Sequence, residues 1–60
     1  MTPEKLLSTI ERHEIKPIEV WDRLPYSTKI LYCERAIESE DWVNILSKRG
    51  VEAGLNEVAA

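Results

Sequence analysis

A chain of 60 residues, 43 % apolar and 32 % charged with a net charge of −3, has room for a single domain. Its composition excludes a disordered chain, which needs low hydrophobicity and high net charge. One cysteine excludes an intrachain disulfide, and one His with one Cys cannot supply the four ligands of a structural zinc.

The first helix is predicted to open at Thr2, a good N-cap, with Pro3 in the first helical position and Glu4 complementing the helix dipole. Leu6, Leu7 and Ile10 recur at helical spacing, and Pro17 is expected to end the element, because a residue before proline is driven out of the helical region. Pro17 also begins a second helix of barely two turns over 17–24, with Ile18, Trp21 and Leu24 as its apolar face. Pro25 closes it.

A third helix is predicted from between Pro25 and Ser27 to about Glu38. Tyr26, Ile30, Cys33 and Ile37 step by four, three and four as its inward stripe, widened by Leu31. Tyr32 falls off that stripe and is expected to point outward. Ser39 reads as the N-cap of a fourth helix, with Glu40 and Asp41 in its first turn and Lys48 and Arg49 in its last. Trp42, Ile45 and Leu46 mark its course, and Gly50 is placed as its stop. Val51, Gly54, Leu55 and Val58 keep helical spacing, so a fifth short helix is an option. Gly54 weakens that segment by about 1 kcal/mol against Ala, and fraying is expected over 51–60. No run alternates with period two and no hairpin dipeptide occurs.

These elements predict an all-α fold, a compact array of four short helices with the optional fifth at the C-terminus, forming one domain over 1–60. The expected core is Leu6, Leu7, Ile10, Ile18, Trp21, Leu24, Ile30, Cys33, Ile37, Ile45 and Leu46. A domain this small buries only about 60 % of the surface its unfolded chain exposes, so a homodimer, or completion by a target, is expected.

No catalytic residue, cofactor or metal site is expected. Cys33 reads as a small buried hydrophobe on an apolar stripe, and His13 as a dipole partner at the end of the first helix. No Gly-rich phosphate loop occurs. No apolar stretch approaches the roughly 20 residues of a membrane span. The start Met-Thr-Pro-Glu-Lys lacks a signal-peptide pattern, and a lone cysteine fits a reducing cytosol. A cytoplasmic protein with no membrane role is predicted.

Two binding classes remain. Residues 17–24 and 26–38 can be drawn as a helix-turn-helix-like DNA-binding regulator presenting Thr28, Lys29, Tyr32 and Arg35. Glu34 and Glu38 on the same helix and the net negative charge oppose this, so nucleic acid is the less favoured partner. The favoured reading is a small non-enzymatic protein-binding module, an adaptor or inhibitor of a larger complex, in the style of a bacterial or phage-encoded regulator. Residues 1–33 carry equal numbers of acids and bases, so the whole net charge lies in 34–60. Glu34, Glu38, Glu40 and Asp41 crowd one junction, and Glu34, Glu38 and Asp41 would align if the helix ran on. An acidic patch steers toward a basic partner surface. With Trp and Tyr dominant at interface hot spots, the expected protein-binding residues are Tyr32, Glu34, Glu38, Asp41 and Trp42. The closing Ala59-Ala60 resembles the Ala-Ala-ended tails that bacterial ATP-dependent proteases recognise, which implies a short-lived regulator.

Overall fold

Three α-helices and one short 3-10 turn make up the computed structural model, which describes residues 1–14 and 19–59. Helix α1 spans Pro3–Arg12 and starts as its sequence dictates. Thr2 is extended, and its hydroxyl accepts the Lys5 amide at 3.2 Å, satisfying one of the free N–H groups of the first turn. The helix ends at His13, followed by Glu14 at φ 58, a left-handed residue of the kind that commonly terminates helices. This stop comes before Pro17. The two roles expected of Pro17, and the core place expected of Ile18, lie outside the described residues, as does Ala60.

In the described part of the expected helix over 17–24, residues 19–24, only a 3-10 turn forms, Trp21–Arg23. Leu24 is held extended at ψ 141 by the proline that follows it, so the chain cannot continue as a helix. Helix α2 then spans Tyr26–Glu38, and Ser39, extended at φ −152, separates it from α3, Glu40–Ala59. The Ser39 hydroxyl accepts the Asp41 amide at 3.2 Å, the predicted cap.

Helix α3 contains the predicted fourth and fifth helices as two arms. Gly50, at φ 87 and ψ 170, breaks the helical path between them. The count among the described residues is therefore three helices rather than four or five. An ion pair between Arg49 and Glu57 bridges the break on the outside.

Every helix packs against the other two. Leu6 and Ile10 of α1, Trp21 of the 3-10 turn, Tyr32, Cys33 and Ala36 of α2, and Leu46 and Val51 of α3 form the core. Leu7, Leu24, Ile30 and Ile45, expected inside, are only half-buried. Ile37 is a clear correction: it is 61 % exposed, and Tyr26 of the same predicted stripe is 68 % exposed. Helix α2 is turned so that Tyr32, Cys33 and Ala36 face inward instead. The small side chains of Cys33 and Ala36 let neighbouring helices approach, while Tyr32 fills the space between α2 and the arms of α3. Gly54 completes that contact, because a Cβ there would lie 2.5 Å from Leu46 Cδ2 and 3.4 Å from Tyr32 Cε1. Among the described residues, no helix is long and apolar enough to cross a membrane.

Candidate protein-docking surface

The turn of α2 that seats Tyr32 leaves Ile37 outside. Ile37 and Met1, which is 43 % exposed, border an open groove of about 560 Å³. Thr9 of α1 and His13 just beyond its end form one wall, and Glu40, Val43 and Asn44 at the start of α3 form the other. A second open cleft of about 530 Å³ continues on the other side of Met1, Thr9 and Ile37, and is walled by Lys5, Ser8 and Arg12. Ile37 stands between the two as an apolar ridge.

The charges around this ridge are sorted by helix geometry. Lys5 and Arg12 are seven residues apart, so they lie on one face of α1, the face that lines the cleft. Glu4 and Glu11 share the same spacing on a different face, and Glu4 lines a separate cleft beside Trp21. The Arg12 guanidinium donates to the Thr9 hydroxyl at 3.2 Å, and that hydroxyl donates to the Lys5 carbonyl at 2.8 Å, which anchors Arg12 along the groove side. On α2, Glu34 and Glu38 are exposed within one turn of Ile37. Glu40 lines the groove itself. Ion pairs among the described residues leave Lys5, Arg12, Glu34, Glu40 and Asp41 without a partner, and Glu38 meets Arg35 only at 3.5 Å.

Of the five residues the sequence put forward, Glu34, Glu38 and Asp41 are exposed and Trp42 is half-buried against the core. Tyr32 is corrected: it is fully buried, with its ring 6.1 Å from that of Trp21 and its hydroxyl donating to the Val51 carbonyl at 3.3 Å. Burial pushes its pKa up to about 12, because the phenolate would lose its hydration there. The continuous alignment of Glu34, Glu38 and Asp41 is not realised either, since extended Ser39 puts Asp41 on another helix.

The residues drawn for DNA contact are dispersed in the same way. Tyr32 is inside, Lys29 places its ammonium over the Trp21 ring at 5.8 Å, and Arg35 faces Glu38. Cys33 is 2 % exposed, and burial is the first cause raising its thiol pKa; Glu4 and Glu34 add to the rise, and the N-terminal amino group opposes it. His13 is exposed at the end of α1 and lines the groove, which Cys33 does not.

Sequence reasoning missed Met1 and Ile37. The signal that could have found Ile37 was the trio Tyr32, Cys33 and Ala36, one large and two small residues on one side of α2, a pattern suited to close helix contact. Met1, preceding the cap, carries no periodic signal. No family model, curated protein or solved structure matches this chain.

Proposed function

We propose that this chain is a small non-enzymatic protein-binding module, an adaptor or inhibitor of a larger complex, acting in the cytoplasm and docking through its Ile37 face. The observation that carries this reading is the 61 % exposure of Ile37 at the lip of an open groove, in a chain with so few apolar residues in its core. Fully burying an isoleucine is worth about 1.5–3 kcal/mol, which the isolated fold forgoes and a partner can recover. Glu34, Glu38, Glu40 and Asp41 on the flank favour a partner whose facing surface is basic. The free, buried thiol of Cys33 is compatible with a reducing compartment.

The test compares partner capture by the wild-type chain with capture by Ile37→Asp and by a control that lines neither cleft beside Ile37, Lys48→Glu, after circular dichroism has checked that all three fold. A captured protein should lose about tenfold or more in affinity for Ile37→Asp while keeping its affinity for Lys48→Glu. Equal binding by all three removes the docking reading. Retention of the wild type on duplex DNA at physiological salt, falling steeply as salt rises, favours a nucleic-acid regulator instead.

A further inference from the structure

We infer that the cleft beside Trp21 takes an arginine side chain of a partner protein, held by the Tyr26 ring and the carboxylates of Glu4 and Asp22. This goes beyond the Ile37 reading and stands apart from it, because no described residue lines both this cleft and either of the two beside Ile37. The cleft has a volume of about 220 Å³ and forms where the first half of α1, the 3-10 turn and the start of α2 come together. That is below the roughly 300 Å³ at which sites for whole small molecules begin, and it suits one long side chain. Leu7 and Trp21 give it an apolar lining against which an aliphatic stem can pack.

Three observations select a cation. The lining carries two acids, Glu4 and Asp22, and one base, Lys29, so its formal charge is negative. Both acids are exposed, they come from different elements, and neither is in an ion pair among the described residues. The fold already seats a cation here, since the Lys29 ammonium lies over the Trp21 ring, 5.8 Å from its centroid. Tyr26 brings a second aromatic ring to the same cleft, 68 % exposed and with no cation of the described residues over it. The negative face of such a ring attracts a cation. Arginine fits these groups better than lysine, because its planar guanidinium stacks on a ring while its fork of N–H groups donates to carboxylates. Lys29 then acts as an internal competitor, which holds the cleft on a flexible stem and yields when a guanidinium enters.

The experiment is an NMR titration of the full, isotopically labelled chain with the blocked tripeptide Ala-Arg-Ala, followed at the backbone amides of Glu4, Asp22, Tyr26 and Lys29. Matched peptides carry lysine, glutamate or citrulline, the neutral isostere of arginine, in the central place. The arginine peptide should give saturable shifts confined to this cleft, with lysine binding more weakly and citrulline about tenfold or more weakly. Glu4→Gln/Asp22→Asn and Tyr26→Ala alter exposed side chains, and each should weaken the arginine peptide, the double variant by about tenfold. Lys29→Met keeps an apolar stem and removes the competing charge. It should bind the arginine peptide about threefold or more tightly, a gain that misfolding cannot produce. Equal shifts from arginine and citrulline, or none that saturate, overturn the site. A lysine peptide that binds as tightly as arginine overturns the guanidinium assignment. Preference for the glutamate peptide, lost on Lys29→Met, makes the cleft an anion site and overturns the proposal.

Discussion

The Tyr32 hydroxyl donates a buried hydrogen bond to the Val51 carbonyl at 3.3 Å, tying the middle of α2 to the first residue beyond the Gly50 break. This bond joins residues 19 apart in the chain and closes the core over both arms of α3.

Its pH dependence is a direct test. Burial holds the Tyr32 pKa at about 12, against 10.0 for an ordinary tyrosine. The unfolded chain therefore loses this proton first. The stability contributed by the neutral phenol is complete below about pH 10 and is lost as the pH rises toward 12, about 2–3 kcal/mol over that window. Tyr32→Phe lacks the hydrogen bond, so it should be about 1 kcal/mol less stable at neutral pH. It has no proton to lose, however. Urea unfolding of both proteins should show the wild-type advantage vanishing near about pH 11 and reversing above it. A constant difference at every pH would contradict the buried bond.

Gly54 makes a second, less intuitive prediction. Alanine is about 1 kcal/mol better than glycine inside a helix, so an exposed position would gain from the change. Here the new Cβ would lie 2.5 Å from Leu46 Cδ2, so Leu46, which is fully buried, would have to shift within the core. Overpacking of this kind costs about 1–3 kcal/mol, so Gly54→Ala should destabilise on balance. In a Leu46→Ala background the clash is gone, and the same change should become neutral or favourable. Additive effects in this double-mutant cycle would show that the two residues are not in contact.

Gly50 separates handedness from side-chain size. At φ 87 and ψ 170 it occupies a region that L-residues avoid, so Gly50→Ala should cost about 1–3 kcal/mol. A D-alanine introduced by chemical synthesis reverses the sterics and finds the same backbone angles in its broad extended region. Thermal unfolding should place the D-alanine chain clearly above the L-alanine chain. Equal losses would indicate that the break is not required. The Arg49–Glu57 pair across the break is exposed, and Arg49→Ala should cost under about 1 kcal/mol.

Cys33 should behave as an inert core thiol. It is 2 % exposed, and its pKa is raised chiefly by burial, so both access and thiolate fraction are low. Reaction with a thiol reagent should be slow in buffer and rise sharply with denaturant, tracking the unfolding curve. Rapid labelling of the native chain would place Cys33 outside the core.

The amino-acid sequence alone determined where the three helices of this protein begin and where the path of α3 breaks. Thr2, Pro3, Pro25, Ser39 and Gly50 act through their own backbone angles and nearest amides, so their effects are local and readable without a fold. The acids Glu34, Glu38 and Asp41 were legible as surface for a similar reason, since an unpaired carboxylate resists burial wherever the chain goes. The rotation of α2 was a tertiary decision. Tyr26, Ile30, Leu31, Tyr32, Cys33, Ala36 and Ile37 place apolar groups nearly all around that helix, so periodicity alone chooses no face. Contact with α1 and α3 chose the side where Cys33 and Ala36 permit close approach and Tyr32 reaches Val51. That choice took Tyr32 from the predicted docking set into the core and turned Ile37 out to the groove, because packing rewards the fit of two surfaces and a single helix carries only one of them.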